Sequence, residues 1–238
     1  AADWNGTVTF SYDITDDGTT AGASDPRSAA GSASLVVGAV NDTPTTAPVS
    51  LPGMAEDSGT ATITPGQLLA HAGDVDGDTL GVANLVASSG TLVGHADGTW
   101  RFTPDADFSG TVNFTYTIGD GQANVAGSAT LVVSAANDAP TTAPVSLPAM
   151  VEDGGMVTIT PAQLLANAGD VDGGALSVSN LLGDSGTLTA NADGTWRFTP
   201  GADFNGTVSF TYSVGDGQLD VAGSATLVVS AVNDAPTT

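Results

Sequence analysis

Sliding the sequence along itself by 96 residues places Met54 on Met150, Glu56 on Glu152, Trp100 on Trp196 and Asp138 on Asp234 without a gap. A tandem duplication of this length restricts the fold strongly, because every copy has to fold on the same plan. A third, partial copy opens the chain. AADWNG, ending at Gly6, matches PDADFSG ending at Gly110 and GADFNG ending at Gly206, while GSASLVV from Gly31 matches GSATLVV from Gly127. Between these anchors the first copy carries eight extra residues. The expected organisation is therefore residues 1–41 as the last two strands of a preceding repeat, 42–137 and 138–233 as complete repeats, and 234–238 as the start of the next linker. Two strands cannot bury a core alone, so residues 1–41 are expected to need upstream chain or a neighbour.

Within each complete copy, short β-rich segments are separated by Gly, Asp, Asn and Pro. In the middle copy the strands are expected near residues 46–54, 60–64, 80–87, 91–95, 99–103, 111–118 and 125–134. The sixth shows period-two alternation, with Val112, Phe114, Tyr116 and Ile118 on one face. One helical turn interrupts the pattern: Thr64-Pro65-Gly66-Gln67 and Thr160-Pro161-Ala162-Gln163 read as capping boxes with Pro at the first helical position. The expected fold class is all-β, a tandem array of immunoglobulin-like or cadherin-like seven-stranded β-sandwich repeats, each with one short helical turn. An apolar content of 41% is enough for a core in each copy.

Strand parity decides which loops share an end. If the first strand runs away from the entry linker, the loops after strands two, four and six return to the entry end. The entry end of the middle copy then gathers Asp74, Asp76 and Asp78 of DVDGD, Asp97 and Asp120, beside linker residues Asn41 and Asp42. The exit end gathers Glu56 and Asp57 of AEDSG, Asp105 and Asp107, beside Asn137 and Asp138.

Acids thus concentrate at repeat junctions, in a chain with 26 Asp and Glu, three Arg and a formal charge of −23. Such a balance disfavours nucleic acid and anionic membrane surfaces as partners. Several carboxylates with Asn and backbone carbonyls nearby offer the hard oxygen ligands that Ca²⁺ takes, and a cation would remove their mutual repulsion. A lone Asp such as Asp97 or Asp107 reads equally as a turn former. For Asp-x-Asp-Gly-Asp beside an Asn-Asp linker, calcium is the better reading. The EF-hand spacing is not met, because no Glu stands at the twelfth loop position.

EDSG, LLAHAGDVDGD, DGTWRFTPDADFSGTVNFTYTIGDG and a linker VNDAP or ANDAP together resemble the bacterial cadherin-like and VCBS-type tandem repeats of giant RTX-type surface adhesins. The resemblance covers essentially the whole chain. It implies secreted or cell-surface extender repeats of an adhesin or filament, with Ca²⁺ rigidifying the junctions. By that likeness Glu56 is the acid of the early loop, Asp74 and Asp76 the paired acids, Asp120 the late-loop acid, and Asn137 and Asp138 the linker. Glu152, Asp170, Asp172 and Asp216 carry over as their equivalents in the last copy, and Asp153, aligned with Asp57, completes the candidate metal ligands. One departure stands out: the last copy reads DVDGG, with Gly174 where the middle copy has Asp78. Neighbouring repeats are the expected partners. Two rival readings stay open, a polysaccharide-binding sandwich and a self-associating fibre or matrix repeat.

Catalysis is not expected. The two histidines, His71 and His95, are replaced by Asn167 and Asn191 in the next copy, Cys and Lys are absent, and no Gly-x-Ser-x-Gly elbow occurs. Trp100 and Trp196 are expected as core residues, with Arg101 and Arg197 pointing outward to nearby Asp. The sequons at Asn5, Asn41, Asn113 and Asn205 say little by themselves.

Overall fold

A computed structural model describes residues 3–234, divided into two compact units, 1–135 and 136–238. Unit one begins with a hairpin, β1 (Gly6–Thr15) against β4 (Ser28–Val37), in a register pairing Gly6 with Val37 and Thr15 with Ser28. Most of the eight extra residues form a small ribbon at its tip, β2 (Thr19–Thr20) and β3 (Ala23–Ser24). The hairpin does not close a core. Phe10, Tyr12 and Ile14, which align with the buried Phe114, Tyr116 and Ile118, remain 50% to 61% exposed.

The remainder of unit one is a complete sandwich. One sheet holds β7 (Ala61–Ile63), β10 (Trp100–Thr103) and β9 (Thr91–Gly94). The facing sheet holds β5 (Val49–Ser50), β6 (Met54–Ala55), β12 (Asn124–Ser134), β11 (Gly110–Gly119) and β8 (Gly81–Ala87). The predicted continuous strand at 46–54 is instead β5 and β6, both parallel to β12. Leu51 still donates its N–H to Thr130, but Pro52 has no N–H with which to continue the ladder. The period-two face of β11 is in the core as expected: Val112, Phe114 and Ile118 are fully buried, and Phe102 meets Phe114 edge-on at 5.3 Å. Tyr116 donates its buried hydroxyl to the carbonyl of Leu68, at 2.9 Å. Its ring lies over Gly127, where any Cβ would stand 2.3 Å from it.

Unit two repeats this plan. β13 (Thr141–Thr142) pairs with β17 (Ala168–Gly169); β16 (Val157–Ile159), β20 (Trp196–Thr199) and β19 (Thr187–Ala190) form one sheet. β14 (Val145–Ser146), β15 (Met150–Val151), β22 (Asp220–Ser230), β21 (Gly206–Gly215) and β18 (Ser177–Gly183) form the other. Both capping boxes form, opening α1 (Pro65–Leu68) and α2 (Pro161–Leu164). Each turn plugs its core with a fully buried leucine, Leu68 or Leu164.

Candidate metal centre

The linker into the middle repeat is held to the loop between β7 and β8 by a two-way bridge: Thr45 and Gly73 exchange N–H···O bonds of 2.8 and 2.9 Å. This bridge brings the predicted acids and the linker together. The Asp42 N–H donates to Asp76 Oδ2 at 2.7 Å. Asn41 donates its side-chain amide to Asp120 Oδ2 at 3.0 Å, and Gln122 donates in turn to Asn41 Oδ1 at 2.9 Å. Carboxylate oxygens of Asp74, Asp76 and Asp78 lie within 4.8 Å of one another. Asp74 Oδ1 accepts the N–H groups of Asp76 and Asp78 at 2.9 and 3.4 Å. Its Oδ2 is buried and has no hydrogen-bond donor among the described residues.

Asp3, just ahead of the opening hairpin, joins the same site. Partial burial first, and then the charges of Asp3, Asp76 and Asp74, hold the Asp42 carboxyl above the usual aspartate range. A cavity of about 290 Å³ beside them is lined by Asp3, Trp4, Asn5, Asp42 and Asp76, among others. Asp120 behaves oppositely. The N–H of Ala123, the amide of Asn41 and the N–H of Gln122 hold its carboxyl below the usual range.

Unit two builds the same entry site. Asp138 N–H donates to Asp172 Oδ2 at 2.8 Å, Asn137 to Asp216 Oδ2 at 2.9 Å, and Gln218 to Asn137 Oδ1 at 2.7 Å. Asp170 Oδ1 accepts from the Asp172 N–H, and Asp170 Oδ2 is again buried without a donor among the described residues. Asp216 is held below its usual range by the N–H groups of Leu219 and Gln218 and the amide of Asn137. At Gly174 an added Cβ would meet only the Asp216 Cβ, at 4.0 Å, so an acid fits there.

The exit end of unit two is also acidic. Glu152 accepts the Val232 N–H at 2.7 Å and the Asn205 amide at 3.4 Å. Asp234 is held above its usual range by the charge of Asp153, then by burial, then by Asp203 and Glu152. In unit one Glu56 opens a single 3₁₀ turn and is 9% exposed, whereas its neighbour Asp57 is exposed. Asp107 and its equivalent Asp203 sit at positive φ, +56° and +53°, a turn conformation that Asp tolerates.

A family model described as the cadherin-like domain matches residues 40–134 and again 136–230. The chain belongs to this family. No curated relative matches it. Among solved structures, the cadherin-like chain is similar to the human desmocollin-1 ectodomain at 12% identity, covering 96% of this chain and 48% of that one, with a TM-score of 0.43. It is similar to human protocadherin-24 EC1-2 at 16% identity, covering 82% and 100%, with a TM-score of 0.47. An endo-fucoidan hydrolase of glycoside hydrolase family 107 matches at 20% identity, covering 95% of this chain, with a TM-score of 0.31. This chain spans about a third of that hydrolase, at 34%.

Four residues at these sites, Asp3, Asp203, Gln122 and Gln218, lie outside the set expected from the sequence. Asp3 was legible through the alignment of AADWNG with PDADFSG, which sets it on Asp107. Asp203 was legible in the same way. Gln122 and Gln218 orient the linker asparagines, and their only signal was the recurrence of Gly-Asp-Gly-Gln in both complete copies.

The remaining candidates resolve into structural roles. Asp97 Oδ1 accepts the N–H and hydroxyl of Thr99 at 3.0 and 2.7 Å, as a turn former does. His71 and His95 are exposed as expected, and the exchange of His71 for Asn167 has a reason: each bonds a carbonyl ahead of β5 or β14, Pro48 at 3.0 Å and Pro144 at 2.9 Å. Trp100 and Trp196 pack against the cores but are only partly buried. The fully buried aromatic of that strand is Phe102 or Phe198, two residues on. Arg101 and Arg197, expected to pair with local Asp, make no ion pair among the described residues. The pair found there is Arg27 with Asp25, at 3.6 Å.

The donor set decides what the entry sites can hold. Every converging atom is an oxygen, and the buried Oδ2 of Asp74 and of Asp170 lacks the donor that a buried carboxylate oxygen ordinarily requires. A hard divalent cation satisfies that atom and offsets the negative charge gathered there, whereas Zn²⁺ would call for the nitrogen or sulfur ligands missing here. Calcium fits.

Proposed function

We propose that the chain is a spacer segment of a secreted or cell-surface adhesin or filament, whose repeat junctions are stiffened by Ca²⁺. The observation that carries this is the pair of buried, donorless oxygens, Asp74 Oδ2 and Asp170 Oδ2, each beside a linker tied to its loop. Asp74, Asp76, Asp78, Asp42 and Asp3 would hold the ion at the first site, and Asp170, Asp172 and Asp138 at the second. The ion supplies positive charge, and the chain's own residues do the positioning. Asp76 and Asp172 hold the linker N–H, while Gln122 and Gln218 aim the linker asparagines at Asp120 and Asp216.

The adhesin setting and the extracellular location rest on the motifs EDSG, DVDGD and NDAP and on family membership. Neighbouring repeats are the partners this reading requires. A non-enzymatic role is supported by the exchange of both histidines for asparagine between copies. None of the helices among the described residues is long and apolar enough to cross a membrane.

Isothermal titration calorimetry of the chain with Ca²⁺ tests the reading. Saturable binding that weakens in Asp74→Asn and Asp170→Asn, with far-ultraviolet circular dichroism unchanged, is expected. Equal binding by wild type and both variants would remove these oxygens from any calcium site.

A further inference from the structure

We infer that Asn5 and Asn205 are sites of spontaneous deamidation, which add a carboxylate beside nearby linker acids, and that the aligned position of the middle repeat, Ser109, is without this chemistry. Three aligned positions begin the strand after each ADW or ADF segment: Asn5-Gly6, Ser109-Gly110 and Asn205-Gly206. The glycine is imposed by the fold in all three. Its φ is +140°, +145° and +142°, and an added Cβ would stand 3.1, 3.3 and 3.5 Å from the rings of Trp4, Phe108 and Phe204. With the glycine fixed, only the preceding residue decides the chemistry.

Asn5 and Asn205 are both exposed. A following residue without a side chain leaves its backbone nitrogen open to approach the asparagine carbonyl carbon. At position 205 the Gly206 nitrogen loses its proton to water and bonds to Cγ. The Cγ–Nδ2 bond breaks, and ammonia leaves with a proton from water. Water then adds to either carbonyl of the cyclic imide and opens it to aspartate or isoaspartate. The net change is one amide and one water converted to one carboxylic acid and one ammonia, with no oxidant or second substrate. Ser109 has no carbonyl carbon in its side chain and cannot follow this route.

Both asparagines stand beside linkers. Asn5 lines the cavity it shares with Asp3, Asp42 and Asp76. Asn205 donates its amide to Glu152 Oε2, and Glu152 Oε1 holds the Val232 N–H. Deamidation turns that donor into an acceptor carrying a negative charge. It therefore sets a carboxylate against Glu152 in a cluster that already contains Asp153, Asp203 and Asp234. In the absence of a cation the linker clamp loosens. With Ca²⁺ the new carboxylate becomes another hard ligand, a consequence that rests on the calcium reading.

The test ages the intact chain at mildly alkaline pH and follows each asparagine by peptide mass spectrometry. The amide-to-acid mass gain is expected at Asn5 and Asn205 well ahead of Asn113 and Asn124. It should disappear at residue 205 in Asn205→Ser, the residue the middle repeat carries. Equal or slower conversion at Asn205 than at Asn113 would overturn the site. Separately, Asn205→Asp should speed hydrogen exchange at the Val232 N–H in chelator relative to wild type, and unchanged exchange would overturn the effect on the linker. Recovery of protection on adding Ca²⁺ supports the calcium consequence; no recovery contradicts that consequence alone and leaves the mass result standing.

Discussion

Asp120 and Asp42 lie in one site, and their carboxyls are displaced in opposite directions from the usual aspartate range, which makes them separable by pH. The Asp120 and Asp216 carboxylates are stabilised by the hydrogen bonds they accept, so their folded values fall below the unfolded one. Each contributes stability that is present above the unfolded aspartate value, about 4, and is lost as pH falls through the lowered folded value. Asp42 is the reverse: its ionisation is opposed in the folded state, and that penalty is relieved as pH falls through the raised value. In chelator, thermal melts across the acid range should therefore hold or rise slightly before falling, and Asp120→Asn with Asp216→Asn should flatten the fall. Parallel acid limbs in wild type and double variant would contradict the assignment. The same scale holds the contrast between Asp78 and Gly174. Ligand charge count tunes calcium affinity across orders of magnitude, and position 174 has room for a side chain. Gly174→Asp should tighten one class of calcium site and Asp78→Gly should weaken another, both read by calorimetry. Unchanged isotherms in both would show that this loop position does not face the ion.

Among the elements, β11 and β21 carry the cores. Truncating Phe198, fully buried and edge-on to Phe210 at 5.3 Å, should cost about 3–5 kcal/mol in urea melts of unit two. Losing the Tyr212 hydroxyl in Tyr212→Phe strands the Leu164 carbonyl and should cost about 1 kcal/mol. A Tyr212→Phe loss as large as that of Phe198→Ala would contradict this ranking. These elements were legible because their signals are local and periodic. Alternating apolar residues marked β11, and Thr-Pro-x-Gln marked both helical turns. The first strand was misread because apolar content does not report backbone donors, and Pro52 divides it. Trp100 was over-read because alternation identifies a face but not depth along it; Phe102, on the same face, is the residue that reaches the centre. The entry site was legible through strand parity, which set Asp74, Asp76 and Asp120 beside Asn41 and Asp42. The polar side chains that orient the linker asparagines were not, since a glutamine's partner depends on a contact across 81 residues. The opening hairpin follows from the same physics. With Phe10, Tyr12 and Ile14 half exposed, amides of β1 and β4 should exchange faster than those of the aligned β11 and β12.

For the whole molecule, a formal charge of −23 with three arginines means that repeats repel unless cations intervene. Simple screening and specific calcium binding both reduce that repulsion, but only specific binding depends on two buried oxygens. Small-angle scattering of the chain at fixed ionic strength, with Ca²⁺ and with chelator, separates them. The calcium-clamped account predicts a longer maximum dimension with Ca²⁺, and a dimension that no longer responds in the Asp74→Asn, Asp170→Asn double variant. Identical profiles under both conditions, or a double variant that responds as fully as wild type, would contradict it.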